Sequence, residues 1–477
     1  MVEQSLKDKT VKGIIWSSVE RFSVQGVQFI VMLVIARLLD PKDFGLVGML
    51  AIFLAVAQSL IDSGFSQALI RKQNRTEVDN STVFYFNIVV SAILYLVLYA
   101  IAPWVAEFYN EPQLCSLMRV LCFIIIINSM AVVQRAIYTA SINFKTQAKA
   151  SFIAALVSGI VGVWLAFNSY GVWTLVWQQL LNAGINTLLL WVYSNWYPRW
   201  LYSWQSFRQL FSFGSKLLAS GLLDTLYTNI YLLIIGKIFN ASSLGLYTQA
   251  DRFTKLPSSN ITGVLQRVTY PVLCTLQDDD GKLREDYRKL LRLSAFIIFP
   301  LMCLLAGVAY PLVELLLGEK WQFAATLIIP LSFSMMWWPI HAINLNLLKV
   351  KGRSDLFLRL EIIKKIIGVT VLVLSIPFGL LFMCYAEIAI SIICLFINTY
   401  YTGKIIQVGF LIQMKDLMGI LLLSVAIFVV AYLVSSVTVT NIIQLLLGIS
   451  TSMVIFISIV YLLKFKELEY VKLILKR

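Results

Sequence analysis

Apolar runs separated by short polar breaks extend along the whole chain. A bilayer core needs roughly 20 apolar residues per helix. On that measure fourteen segments qualify, at approximately 14–38, 45–69, 83–107, 115–138, 149–168, 171–193, 213–239, 244–270, 291–316, 323–348, 356–378, 380–402, 416–438 and 441–463. The eighth is the weakest, because it contains "YTQADRFTKLPSS" at 247–259, where Asp251, Arg252, Lys255 and Pro257 crowd together. Taken alone, that stretch reads as a water-exposed loop.

Charge placement reads it differently. Positive residues in short loops stay on the cytoplasmic side of a membrane. With fourteen spans and both termini cytoplasmic, most of the 39 Lys and Arg fall in or beside cytoplasmic loops, including "IRKQNR", "KLREDYRKLLR", "KVKGR" and the tail "KFKELEYVKLILKR". Arg37, Lys42, Arg119, Lys237 and Lys320 are the outer-side exceptions. Were 247–259 a loop, every later connection would change sides and most of these charges would lie outside. The expectation is therefore a charged helix in the membrane, with Pro257 a kink within it.

An internal repeat points the same way. A shift of 200 residues lays "IARLLDPKDFGLV" (35–47) over "IGKIFNASSLGLY" (235–247), aligning Ile35 with Ile235, Arg37 with Lys237, Asp40 with Asn240, Gly45 with Gly245 and, further on, Phe53 with Phe253. In this register span 1 matches span 7 and span 2 matches span 8. The eighth segment thus inherits the membrane assignment of its apolar counterpart, "GLVGMLAIFLAVAQSLIDSGF". An even number of spans separates the copies, so the two halves share one orientation, with spans 13 and 14 as an appendix.

Composition agrees with a polytopic membrane protein: 59% hydrophobic residues, 13% charged and a mean hydropathy of +0.81, against about a quarter charged in soluble domains. The first span is too long for a signal-peptide core and shows no clear cleavage site, so it reads as retained. The net charge of +14 is explained by a solvated, lipid-facing basic surface and needs no nucleic acid. Cys115, Cys122, Cys274, Cys303, Cys384 and Cys394 lack CxxC spacing and read as small core residues. His341 is the single histidine, which disfavours metal clusters and histidine triads and leaves open a lone proton-titrating role. No P-loop motif is present.

The stretches "WSSVERFSVQGVQF", "ARLLDPKDFGLVGM", "DSGFSQALIRK", "GLYTQADRFTKLP" and "VLQRVTYPVL" resemble the Wzx-type polysaccharide transport flippases of the multidrug/oligosaccharidyl-lipid/polysaccharide exporter superfamily, in the branch handling exopolysaccharide and teichuronic-acid units. The resemblance is strong over spans 1 to 8 and rests on length and topology beyond them. It implies an all-α polytopic fold of about 14 transmembrane helices, with two six-helix bundles in a V around a central cavity and two extra C-terminal helices. The domains expected are 1–212 for the N-terminal bundle, 213–402 for the C-terminal bundle and 403–477 for spans 13 and 14 with a basic tail. The function implied is transfer of a polyprenyl-diphosphate oligosaccharide from the cytoplasmic to the outer leaflet of a bacterial inner membrane by alternating access. Partners would be membrane lipids, a polysaccharide polymerase and glycosyltransferases. No cofactor is expected beyond a coupling H⁺ or Na⁺.

Ionisable residues inside a membrane are expensive and mark candidate sites. At 1.5 Å per residue, Asp224 lies roughly 15 Å from the cytoplasmic end of span 7, and Lys255 roughly 17 Å from the outer end of span 8. Asp251 and Lys255 are spaced i, i+4 on one face, with Arg252 about 100° away. That spacing serves either a self-neutralising pair or a substrate and ion site. As a site, Arg252 and Lys255 supply cationic donors for a diphosphate or uronate, with Arg21 their counterpart in span 1. Gln25 and Gln28 follow Arg21 on one stripe, a cavity wall or the flank of a snorkelling arginine. Lys364 and Lys365, clustered with Glu361, are a second cationic patch or an interfacial anchor. Asp224, Asp251, Glu20 and Asp62 are the ion-coupling candidates, and Glu387, isolated in span 12, is a further potential proton carrier. The aromatic stretch "WVYSNWYPRWLYSW" reads as an interfacial belt.

Two other classes compete. A multidrug exporter of the same fold wants an acidic cavity, which the span-embedded Lys and Arg oppose. A membrane polymerase or ligase wants a large outer loop, and the longest outer connection in this reading is short. Neither an enzyme's catalytic constellation nor a metal site is apparent.

Overall fold

The computed structural model describes residues 16, 22–62, 64–72, 74–437, 440–465 and 467–468. Among them there is no strand; the fold is all-α. The packing clusters into two compact units that divide after Gly245. Where its residues are described, each of the fourteen apolar segments falls on one helix or on consecutive helices.

The first unit holds α1 (Phe22–Leu38), α2 (Pro41–Asp62), α3 (Phe65–Arg71), α4 (Glu77–Tyr109), α5 (Gln113–Leu121), α6 (Ile124–Ser129), α7 (Val132–Ala140), α8 (Phe144–Phe167), α9 (Val172–Tyr193) and α10 (Trp204–Ile238). The sequence reading begins the second bundle at residue 213, whereas α10 packs on α2, α3 and α4 of this unit. The second unit holds most of α11 (Ala241–Thr275), then α12 (Asp280–Gly307), α13 (Ala309–Leu316), α14 (Gln322–Met335), α15 (Trp338–Val350), α16 (Ser354–Ser375), α17 (Leu380–Ile406), α18 (Phe410–Ser435) and α19 (Asn441–Leu462).

Among the described residues nine helices are long and apolar enough to cross a membrane, or ten if the bent pair Gln113–Ser129 and Val132–Ala140 is one span. The helices outside that count are those the sequence makes polar or short: α9 with Gln178, Gln179, Asn182 and Asn186, α11 and α16 with their charges, the eight-residue α13, and α1, described from Phe22 onward. Only internal hydrogen bonding lets such lengths of backbone lie in lipid, which is why the segments are helices throughout.

The stretch 247–259 is no loop. It lies wholly within α11, an unbroken helix of 35 residues that runs through Pro257 and Pro271. Its start follows the repeat: α1 ends at Leu38 and α10 at Ile238, and α2 begins at Pro41 and α11 at Ala241. Asp43 caps the first start, its carboxylate accepting from Asp40 N at 3.1 Å, and Asn240 the second, accepting from Ser243 N at 2.7 Å. The two starts also touch symmetrically. A Cβ built on Gly45 would collide with the Ala241 carbonyl, and one built on Gly245 with the Pro41 carbonyl. Gly64 and Gly214 make a second close crossing, where a Cβ on either would come within 2.8 Å of the other's backbone.

In the second unit α12 lies along α18, fixed by Arg288, which donates twice to the Asp416 carboxylate at 2.6 Å. Gln413 of α18 plugs into a buried polar hub, donating to Asn344 and Thr402 at 3.1 Å and to Tyr287 at 3.3 Å. A buried amide with this many partners is a fully satisfied polar contact inside an apolar bundle. α18 and α19 therefore pack as members of the second unit.

Candidate functional site

The periodicity of α11 brings Tyr247, Asp251 and Lys255 onto one face at intervals of four residues. The Lys255 ammonium pairs with Asp251 Oδ2 at 2.9 Å, with side-chain exposures of 46% and 16%. The pair is therefore closed at its carboxylate end and open at its ammonium end. The second carboxylate oxygen, Asp251 Oδ1, is buried with no hydrogen-bond donor, a costly state for a charged group. Tyr247 donates its hydroxyl to Glu387 Oε1 of α17 at 3.0 Å. Glu387 lies within electrostatic range of both Asp251 and Lys255. The sequence reading of Glu387 as isolated is thus corrected: it joins α11's charged face from a helix more than a hundred residues away. Arg252 is exposed, off that face.

The same stripe of α11 continues, buried and polar, through Thr254, Ser258 and Thr262. Thr254 donates to Ala250 O at 3.2 Å, Ser258 to Met335 O of α14 at 2.8 Å and Thr262 to Ser258 O at 2.7 Å. These short side chains satisfy themselves on backbone carbonyls, so α11 buries a polar stripe despite its low apolarity.

From Glu387 a chain of polar contacts runs along α17. Ser334 donates to the Glu387 carbonyl at 3.2 Å, and Ser391 to the Ser334 carbonyl at 3.3 Å. His341 Nε2 lies 3.0 Å from Ser391 Oγ, and Asn398 Nδ2 lies 3.3 Å from His341 Nδ1. With the amide donating to Nδ1 and the serine hydroxyl committed to a carbonyl, the consistent tautomer is neutral with its proton on Nε2. The lone histidine is thus a bonded member of the α15–α17 contact. Beside it, Lys364 pairs with Glu361 at 2.5 Å and is only 12% exposed, so α16 offers a neutralised pair there; Lys365 is half-buried.

The remaining candidates scatter. Gln25 is half-buried and Gln28 exposed on α1, and Asp224 is exposed on α10. Glu20, Arg21 and the Asp62 side chain lie outside the described residues. The structure brings together Asp251 and Lys255 from the sequence reading and adds Tyr247 and Glu387. Tyr247 had a legible signal, its position four residues before Asp251. Glu387 was legible as a carboxylate within a span, but not its partners, since only tertiary packing brings α17 to α11. Among the described residues no group of three or more His, Cys, Asp or Glu is arranged to hold a metal.

Known proteins resemble the chain along most of its length. The teichuronic acid biosynthesis protein TuaB of Bacillus subtilis is 25% identical over 435 residues, covering 90% of both chains. The lipopolysaccharide biosynthesis protein WzxC of Escherichia coli is 24% identical over 373 residues, covering 78% of this chain and 76% of its own. Among solved structures, the lipid II flippase MurJ in an inward closed conformation superposes with a TM-score of 0.75 at 14% identity, over 94% of this chain and 99% of its own. That likeness shows the fold, an all-α multi-pass membrane architecture. A model of the family described as "Polysaccharide biosynthesis protein" matches residues 34–326, and since that is more than half of its length, the chain belongs to this family.

Proposed function

We propose that the protein flips a lipid-linked, anionic oligosaccharide from the cytoplasmic to the outer leaflet of a bacterial inner membrane, by ion-coupled alternating access. The observation that carries the reading is the charged face of α11, where a half-exposed lysine pairs with a carboxylate that has one unpartnered oxygen, with the exposed Arg252 projecting beside that face. Lys255 and Arg252 supply donors for a diphosphate or uronate. Asp251, with Glu387 beside it, supplies the acid whose protonation or Na⁺ binding shifts the inward/outward balance. The names of TuaB and WzxC place those relatives in the making of surface polymers, which supports the substrate class. The coupling ion is H⁺ or Na⁺, and no other cofactor is required. A polymerase and the glycosyltransferases that build the substrate are the partners this role implies.

A second reading, export of organic cations, draws on the two carboxylates Asp251 and Glu387. One experiment separates them. Cells carrying Arg252→Ala or Lys255→Ala are assayed for surface polymer and for susceptibility to cationic dyes, with protein level checked in the membrane. The flippase reading expects polymer to fall at least tenfold with unchanged dye susceptibility. Undiminished polymer in both variants overturns it.

A further inference from the structure

The first unit carries a groove of about 710 Å³ between α4, α5 and α9. Each helix gives it one stripe: Tyr95 and Tyr99 of α4 and Cys115 and Arg119 of α5 at i, i+4, and Trp177 and Leu180 of α9 at i, i+3. The positive-inside reading places the α4–α5 connection, and with it the mouth of the groove, on the outer side. Tyr99, Phe123 and Trp177 remain exposed along it.

The lining is graded with depth. Counted at 1.5 Å per residue from the start of α5, Cys115 and Ser116 lie about 3 to 5 Å inward, Arg119 about 9 Å and Phe123 about 15 Å. Trp177 and Leu180, about 8 and 12 Å from the start of α9, cover the same range. Polar groups therefore line the mouth, one cation stands below them, and apolar side chains close the deep end. A glycerophospholipid of the outer leaflet has the same order, head group, phosphate, acyl chain. A water-soluble anion would have no use for the apolar end.

Arg119 is held in position but not neutralised. Its guanidinium carbon lies 4.4 Å from the centre of the Tyr99 ring, and its Nε donates to the Tyr99 carbonyl over a long 3.5 Å. The Tyr95 hydroxyl donates to the Arg119 carbonyl at 3.3 Å, tying α4 to α5. Stacking on an aromatic ring fixes the plane of the guanidinium and leaves its edge free for a phosphate. Its two terminal amino groups have no hydrogen-bond partner among the described residues. No carboxylate lines the groove, and Glu111, just before α5, is already paired with Lys42 at 3.0 Å. An arginine at this depth without an acidic partner is a costly group in a membrane. A lipid phosphate supplies the counter-charge that the protein does not.

We propose that this groove holds one anionic glycerophospholipid of the outer leaflet, its phosphate on Arg119 and the start of an acyl chain against Phe123, Trp177 and Leu180. Charge decides for an anionic head group. A zwitterionic lipid would bring a second cation beside Arg119, and no carboxylate is there to receive it. The lipid serves the packing of α4, α5 and α9 and not the cargo, so the proposal does not rest on the transport reading.

The test is native mass spectrometry of the full chain in detergent, titrated with dioleoyl-phosphatidylglycerol and, as control, with dioleoyl-phosphatidylcholine, with melting followed in parallel. We expect one phosphatidylglycerol to bind about tenfold more tightly than phosphatidylcholine and to raise the melting temperature. Arg119→Gln should abolish that preference. Lys149→Gln, which removes an exposed charge from the side read as cytoplasmic, should leave it intact. Trp177→Ala should weaken both lipids about threefold through lost chain contact; Trp177 is exposed, so this variant keeps the fold and carries the test should Arg119→Gln fail to fold. The proposal is overturned if phosphatidylcholine binds as tightly, if Arg119→Gln or Trp177→Ala binds phosphatidylglycerol like the parent, or if Lys149→Gln loses as much as Arg119→Gln. Displacement of the lipid by a lower concentration of a short-chain polyprenyl phosphate would also overturn it, by giving the groove to cargo. Binding and melting are read without transport, so failure here and failure of the flippase reading are separate results.

Discussion

α2 and α11 are the same helix written twice and used differently. They begin at residues 41 and 241, carry Gly45 and Gly245 at the same step, and share Phe53 and Phe253. Yet Ala51, Ile52 and Ala55 of the first copy stand where the second has Asp251, Arg252 and Lys255. The apolar copy shows what the scaffold needs in order to be a membrane helix, and the charges of α11 are what it does not need. Stability alone would have no use for three ionisable groups there, since replacing a buried ion pair by apolar residues is often neutral or stabilising. The difference between the copies is the strongest argument that α11's charges serve the substrate or the coupling ion.

The largest expected effect strikes what the copies share. Gly45→Ala or Gly245→Ala puts a methyl group into the facing carbonyl and should cost about 3 kcal/mol through overpacking. Melting of the detergent-solubilised protein measures it, and a parental melting temperature in both variants would mean the helix starts do not touch. Next comes the difference itself. Lys255→Ala leaves the Asp251 carboxylate uncompensated; breaking a buried pair costs about 3–5 kcal/mol, reduced here to about 2 kcal/mol because Lys255 is half exposed. The double variant Asp251→Ala/Lys255→Ala, which restores the residues of α2, should melt close to the parent. A double variant less stable than Lys255→Ala would break the comparison.

Much of this contrast was legible in the sequence. The fourteen apolar runs, the repeat and the i, i+4 spacing of Asp251 and Lys255 are all local or periodic, and the helices of the structure follow them. Two things were not. Glu387 reaches α11 and Gln413 enters its hub only through contacts between helices far apart in sequence. Periodicity gives the face a residue occupies on its own helix, never the helix that face will meet. The i, i+3 spacing of Glu361 and Lys364 was legible too, and the two pair as it suggests.

Tyr247→Phe removes a single hydrogen bond to Glu387 and should cost about 1 kcal/mol. If Glu387 takes part in coupling, the pH dependence of export should shift in this variant while protein level does not; an unchanged profile would restrict the coupling role to Asp251. The smallest effect is expected at the start of α16, outside the membrane. The Arg353 guanidinium beside Asp355 holds that carboxyl down to about 2. A depressed carboxylate contributes above its unfolded value and loses the contribution as pH falls through about 2, so nothing changes between pH 5 and 8. Asp355→Asn should accordingly leave the export profile over that range as it is, and any shift would show that this exposed pair does more than decorate the surface.

The central claim is that the charges of α11 act on cargo or ion and not merely on each other. Its most direct test is surface-polymer export by cells producing the double variant Asp251→Ala/Lys255→Ala at parental level and stability. The account predicts a folded protein whose export falls at least tenfold. Export equal to the parent's would show that Asp251 and Lys255 only neutralise one another, and would contradict it.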